Sequence, residues 1–382
     1  MRIAIAHDWL CGFRGGEAVL ERIAGLVLHE FEPAGLFTMF DEGRPLAPNI
    51  DAVRDRAGVT ASFLSGGPWS ARARRWMLPL YPAAVARLSR AIAAAHARRP
   101  IDLLVSTSSA AIKGLAPPPG VPHLCCCFAP ARYLWSRGGD YAGGLRGLGL
   151  RVLGPRLRAW DRRTAPNVTR FVSISRHIQA EVLRCYGRES SIVFPPARTG
   201  FYTPGAGQKR EDFWLVAGAL EPYKRAELAI EAANRAAHRL VVAGEGSAAA
   251  ALRRRAGPTV EFRGRVNDAE LRDLYRRADV LIFPQVEDYG IVAVEAQACG
   301  LPVVAFRAGG ALDTVIDGVT GVLFGPQTPE ALITAIGRAP RGADAACRAN
   351  AERFGEEQFD RAFRAEVGAA LADRPGAKAR TG

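Results

Sequence analysis

The chain is poor in lysine, has no long apolar run and no paired cysteine spacing. Each shortage narrows what it can be. Across its 382 residues, no stretch approaches the ~18 uninterrupted apolar positions that a membrane-crossing helix needs. The opening residues, Met1 to Asp8, read as a strand followed by a polar site. They lack the basic and apolar regions of a secretory leader, so a cytoplasmic protein is expected. The seven cysteines are an odd number, and three of them, Cys125, Cys126 and Cys127, are contiguous in an apolar run. No CxxC pair suggests zinc, and reduced, buried thiols are expected. Helix-turn-helix, RNP-like and zinc-finger patterns are missing, which argues against nucleic acid as a partner.

Charge is plentiful but lopsided. The net charge is +13, and only four of the 51 basic residues are lysine. Residues 1–200 hold 27 Lys and Arg against 14 Asp and Glu; residues 201–382 hold 24 of each. The excess therefore lies wholly in the first half. Much of it stands near aromatic residues: Trp69, Arg72, Arg74, Arg75, Trp76, Tyr81, Arg87, Arg90, Arg98 and Arg99, then Arg146, Arg151, Arg156, Arg158, Trp160, Arg162 and Arg163. Arginine mixed with Trp and Tyr suits the headgroup zone of an anionic membrane, so peripheral association with the inner face of the cell membrane is expected. A solvated basic surface is the plainer alternative.

Periodicity divides the chain into two similar α/β halves. In the first, strands are predicted at Ile3–Ala6, Leu103–Val105, His123–Cys127, Arg170–Ile174 and Ser191–Phe194, with helices over Glu17–Leu28, Pro82–Arg98 and His177–Tyr186. In the second, strands are predicted at Phe213–Ala217, Arg239–Ala243, Val260–Phe262, Val280–Phe283, Val303–Phe306 and Gly321–Phe324, with a helix over Ala226–Ala237. Strands alternating with helices imply parallel sheets covered on both faces. Ligands of such sheets bind beyond the carboxyl ends of the strands. Lys224, Gly244, Gly264, Glu287 and Gly309 all fall just past a predicted strand.

Residues 287–295 are the most informative stretch. Glu287 and Glu295 stand eight positions apart, with Gly290 between them where a helix should start. That is a little over two helical turns, too far for both carboxylates to hold one atom but suitable for two ends of an extended ligand. The loop and helix start between them present backbone N–H groups to an anion. Sugar hydroxyls at one end, ribose hydroxyls at the other and phosphates between suit that geometry.

In its surroundings, this stretch resembles the retaining glycosyltransferases of family 4. The likeness is carried by His7-Asp8-Trp9-Leu10 with Arg14-Gly15-Gly16-Glu17, then Arg132-Tyr133-Leu134-Trp135, Pro222-Tyr223-Lys224-Arg225, Gly264-Arg265-Val266, residues 287–295 and Gln297-Ala298-Cys299-Gly300. Within that family the chain looks most like bacterial mannosyltransferases of O-antigen and exopolysaccharide assembly. The resemblance implies the GT-B fold, two Rossmann-like domains with parallel sheets facing an interdomain cleft. The expected boundaries are an acceptor-side domain over 1–195, a linker over 196–210, a donor domain over 211–355, a helix over 356–373 packing back on the first domain, and a frayed tail over 374–382.

The resemblance also implies site roles. Lys224 contacts the donor diphosphate with Arg225 beside it, and Gly15 and Gly16 approach the phosphates from the other domain. Glu295 accepts hydrogen bonds from ribose, and Glu287 contacts the transferred sugar. Tyr289, Gly290 and Ile291 offer backbone amides, while Gly264, Arg265 and Val266 border the nucleobase. His7 stands on the catalytic side with Glu287 and Lys224, and Lys113, Arg132 and Tyr133 on the acceptor side. The implied donor is a nucleotide hexose, GDP-mannose foremost, and the acceptor a saccharide or polyprenyl-linked saccharide. With no Asp-x-Asp motif, neither metal nor other cofactor is expected. The chain departs from the family at Ala219, where many relatives carry arginine, and at Ser109, Phe128, Ile174 and Arg198. These departures keep open a catalytically weakened donor-binding relative serving as a partner protein; a nucleotide-sugar epimerase on the same architecture is a further alternative.

Overall fold

Two all-parallel sheets organise the chain in the computed structural model, which describes residues 1–66, 74, 76–135, 144–205 and 209–374, with only the backbone course given for 144–152. The chain separates into two compact units, Met1–Val193 with the chain from Asp360, and Phe194–Phe359.

The first unit contains seven strands: β1 (Arg2–Leu10), β2 (Glu32–Asp41), β3 (Val59–Ala61), β4 (Leu103–Ser108), β5 (His123–Cys127), β6 (Arg170–Ser173) and β7 (Ser190–Ile192). Their order is β3-β2-β1-β4-β5-β6-β7. The central strands are apolar without alternation because helices cover both faces. Ala4, Ala6, Phe37, Phe40 and Leu104 pack with Val85, Leu88 and Ile92 of the helix Tyr81–Arg98. From Asp360 onward the helix Glu356–Ala372 belongs to this unit. Its Asp360 takes two hydrogen bonds from Arg22 at 2.7 and 2.6 Å, and its Glu366 receives Arg170 at 3.1 Å.

The second unit repeats the plan with β8 (Trp214–Ala217), β9 (Leu240–Ala243), β10 (Val260–Gly264), β11 (Val280–Phe283), β12 (Val303–Phe306) and β13 (Gly321–Phe324). Their order is β10-β9-β8-β11-β12-β13. Val216, Val242, Ile282 and Val304 pack with Ile230 and Leu332. In both sheets the chain order reverses beside the first strand, between β1 and β4 and between β8 and β11. A crevice opens at such a switch point because the connections leave it on opposite faces. The loops that follow β8 and β11 are therefore neighbours, and they carry Lys224 and Glu287.

Most predicted elements are present within a residue or two of their expected ends. Among the strands, two are additions: β2 and β3 lie where no strand was predicted. Phe354 stands just before the C-terminal helix and packs edge-on against Phe194, with ring centroids 5.0 Å apart. Among the described residues, no helix is long and apolar enough to cross a membrane.

Candidate active site

The loop after β11 is shaped by two glycines. Gly290 adopts φ +87°, and a Cβ there would sit 2.7 Å from the Phe283 ring. Gly309, at φ +65°, would place a Cβ 2.3 Å from the Glu287 carbonyl oxygen. Neither position accepts a side chain without strain. Gly310 N–H donates to that same Glu287 carbonyl at 2.8 Å. The backbone of Glu287 is thus clamped by the loop after β12. The helix Ile291–Ala298 starts immediately after Gly290, as expected, and no side chain caps it. Ala293 N–H donates to the Gly290 carbonyl at 3.0 Å, which leaves the amides of Ile291 and Val292 as the ones to offer an anion.

Lys224 ends a 3-10 turn, Pro222–Lys224, in the loop after β8. Its ammonium donates to the Glu287 carboxylate and lies 5.4 Å from the centre of the Tyr223 ring. Both side chains are partly open, 22% exposed for Lys224 and 16% for Glu287. The structure therefore joins the two expected site residues in one ion pair. Arg225 turns elsewhere. It holds a left-handed backbone at φ 55° and donates to Glu227 at 2.6 Å and to Gln327 at 3.4 Å. Its guanidinium is committed to the protein, so Lys224 supplies the cation beside Glu287.

Glu295 lies one helical face deeper and is 8% exposed. Burial pushes its pKa up to about 8, opposed by Arg198 and reinforced by Asp268. Arg198 is itself drawn to Asp268 at 2.8 Å and to the Tyr202 hydroxyl at 3.2 Å. The departure noted at Arg198 thus puts a cation in the surroundings of Glu295. Tyr289 contributes a core ring, stacked 6.0 Å from Phe194, and its buried hydroxyl has no hydrogen-bond partner among the described residues. Only its backbone suits the role expected of it. Gly264 closes β10 at φ +67°, Val266 is half-buried, and Arg265 is exposed.

In the first unit, His7 and Asp8 are buried side chains in the second half of β1. His7 Nδ1 is 2.6 Å from Thr107 Oγ1, and its Nε2 is 3.7 Å from Glu17. Asp8 accepts four backbone N–H groups, from Ser109, Ala110, Ala111 and Ile112, at 2.6 to 2.9 Å. A carboxylate from the chain itself therefore fills the anion nest after β4, and Ser109 acts there through its backbone. Sequence reasoning did not find this role; the available signal was an Asp at one strand end and a Ser-Ser-Ala-Ala run at its neighbour. Gly16 opens a helix, Gly15–Glu30, and a Cβ on it would meet the Phe128 ring at 3.2 Å. Close packing on Phe128 is one reason for glycine there. Gly15 has open space around it.

Lys113 is a correction. Expected on the acceptor side, it is 1% exposed. Its ammonium lies 3.0 Å from Asp161 Oδ1 and donates to Thr164 at 3.1 Å. It is a buried structural cation rather than a group offered to a substrate. Arg132 and Tyr133 are half-buried on the short helix Arg132–Trp135. Trp69, Arg72 and Arg75 of the basic cluster lie outside the described residues, as do the side chains of Arg146 and Arg151.

Two Rossmann-like units with parallel sheets of seven and six strands make this a GT-B fold. HepE of Anabaena, solved with UDP, superposes with a TM-score of 0.69 at 16% identity, covering 97% of this chain and all of that one. Sucrose-phosphate synthase of Thermosynechococcus elongatus gives 0.70 at 18% identity, covering 96% and 99%. Residues 205–354 match the model of the family described as glycosyl transferases group 1. That match lies within the second half, although the motifs of the resemblance run through both halves. D-inositol 3-phosphate glycosyltransferase 2 of Catenulispora acidiphila is 32% identical over 189 residues, 41% of this chain and 44% of the relative. D-inositol 3-phosphate glycosyltransferase of Streptomyces griseus is 41% identical over 121 residues, 30% and 26%. The chain thus spans less than half the length of these curated relatives. These relatives are named as inositol-phosphate glycosyltransferases, not as mannosyltransferases of O-antigen assembly.

Proposed function

We propose that the protein is a retaining glycosyltransferase that moves a hexose from a nucleotide sugar to a saccharide or lipid-linked saccharide. The observation that carries this reading is the Lys224–Glu287 pair at the β8/β11 switch point, beside the uncapped helix start at Gly290. A sugar nucleotide matches each part. Its diphosphate suits the ammonium and the free amides, its sugar hydroxyls suit Glu287, and its ribose suits Glu295. With no second carboxylate nucleophile evident in the sequence, the departing phosphate assists deprotonation of the acceptor. Electrostatic stabilisation of that phosphate by Lys224 and the helix start then carries much of the rate. Mannose is the first sugar to test. The curated relatives add a second reading for the acceptor, a phosphorylated polyol.

Transfer from GDP-mannose, UDP-glucose and UDP-N-acetylglucosamine to membrane-lipid extracts and to inositol phosphate tests the reading. A donor cleaved only with acceptor present supports it; a new free sugar released without acceptor points to the epimerase alternative, and failure of all three donors counts against it. With the working donor, Lys224→Ala is expected to lose about 2–4 kcal/mol of transition-state stabilisation, a fall of roughly 30- to 900-fold in kcat/KM. Near-normal kcat/KM in the folded variant removes Lys224 from the site.

Association with an anionic membrane is part of the same proposal. Its support is the charge confined to the first half and the exposed Arg87 and Arg90 on the helix Tyr81–Arg98, with Trp76 53% and Leu80 47% exposed nearby in sequence. Cosedimentation with vesicles containing anionic lipid is expected at low salt and is expected to weaken at high salt. Arg87→Glu with Arg90→Glu should reduce it and leave nucleotide binding intact. Indifference to vesicle charge at low salt defeats the membrane reading.

A further inference from the structure

The Lys224–Glu287 pair has a consequence for which ligand the site prefers. Without a ligand, the cation and the carboxylate neutralise each other. Neither is lost in disorder, because the Glu287 backbone is clamped by Gly309 and Gly310 and Lys224 lies against Tyr223. A ligand that takes the ammonium with an anionic group separates the pair and leaves Glu287 without a partner. Stripping one member from a partly buried pair is unfavourable unless the ligand also satisfies the other. A sugar nucleotide does both, since its diphosphate faces Lys224 and its sugar hydroxyls donate to Glu287. A nucleoside diphosphate without the sugar does only the first.

Building on the function proposed above, we infer that Glu287 is a specificity-determining residue that makes the site discriminate between the loaded donor and its own nucleotide product. Before transfer, the sugar holds Glu287 away from Lys224. Once the hexose has moved to the acceptor, the Glu287 carboxylate loses its hydroxyl partners and competes with the diphosphate for the ammonium. The ion pair re-forms as the nucleotide leaves. Arg225 does not relieve this competition, because its guanidinium is held by Glu227 and Gln327.

Calorimetry on the full chain measures the idea directly, with UDP, GDP, UDP-glucose and GDP-mannose as probes. Wild type should bind at least one sugar conjugate more tightly than the matching free diphosphate. Glu287→Gln keeps the shape and removes the charge, and it should tighten the free diphosphate by about three- to tenfold. The sugar conjugate should gain nothing or weaken, so the preference shrinks or inverts. Thermal unfolding of the variant confirms that the comparison is between folded proteins. Glu287→Asp, which keeps the charge, should retain most of the preference. Binding of nucleotide and conjugate with the same ratio in wild type and Glu287→Gln would falsify this inference while leaving the function intact. Binding of none of the four probes overturns the nucleotide-sugar reading and this inference with it.

Discussion

Glu295→Gln is expected to be more stable than wild type at pH 9 and to lose most of that advantage by pH 5. Glu295 is almost fully buried, and its pKa in the fold is raised to about 8. In the unfolded chain it ionises in the ordinary glutamate range, near 4.3. Below that range the carboxyl is protonated in both states and has no effect. Between the two values the folded form holds a proton that the unfolded form has released. The contribution of the neutral carboxyl therefore drains away as pH rises and is fully lost above about pH 8. A difference of nearly four pKa units at 1.36 kcal/mol each sets a ceiling of about 5 kcal/mol, and 3–5 kcal/mol is the expected order. The neutral amide escapes the loss. Urea unfolding of both proteins at pH 5, 7 and 9 reads it out. A constant difference across that range would mean that Glu295 is ionised throughout in the folded protein. The same proton bears on the proposed ribose contact, because the carboxylate is an acceptor only and the acid keeps one donor.

Local pattern and sheet order account for what was and was not legible in the sequence. The β11-loop-helix segment could be read because a buried strand, a glycine and an apolar helix follow one another within twenty residues. β2 was missed because Pro33 and Gly35 at its start imitate a turn. Yet Leu36 to Phe40 form its buried core, and Gly35 takes φ +140°, a backbone that favours glycine, where the register with β1 shifts. The long helix Gly144–Arg163 was hidden by its glycines and Pro155, all poor helix formers. Lys224 and Glu287 were each placed at a strand end, but their pairing across 63 positions required β8 to lie beside β11. Strand order is a property of crossovers, not of either segment. Asp8 and its four amides were beyond reach for the same reason, since β1 and β4 are joined by the whole intervening chain. Burial was equally invisible at Lys113, where nothing local distinguishes a core cation from a ligand-facing one.

Lys113→Ala should therefore act on stability rather than on acceptor binding. Lys113 and Asp161 are both essentially solvent-free. The Lys113 ammonium has Asp161 Oδ1 at 3.0 Å, the Asp161 carbonyl at 2.5 Å and the Tyr186 ring centre at 4.4 Å. Asp161 Oδ2 in turn accepts Trp135 Nε1 at 2.7 Å and the Tyr186 hydroxyl at 3.0 Å. Deleting the lysine leaves a carboxylate in a low-dielectric interior with only neutral donors. Such a change costs about 3–5 kcal/mol, much more than the lost attraction alone, because the remaining charge has no route back to water. Lys113→Met with Asp161→Leu removes both charges and should recover a large part of that loss, giving a strongly non-additive double-mutant cycle. Trp135 tethers the short helix that carries Arg132 and Tyr133 to Asp161, so the double variant should also loosen that helix, visible as a red shift or broadening of tryptophan emission. Urea midpoints for the two single variants and the double variant supply the energies, and kcat/KM for the acceptor, measured well below each unfolding transition, supplies the contrast. A Lys113→Ala protein that unfolds like wild type but has lost acceptor turnover would return Lys113 to the acceptor side and contradict its burial.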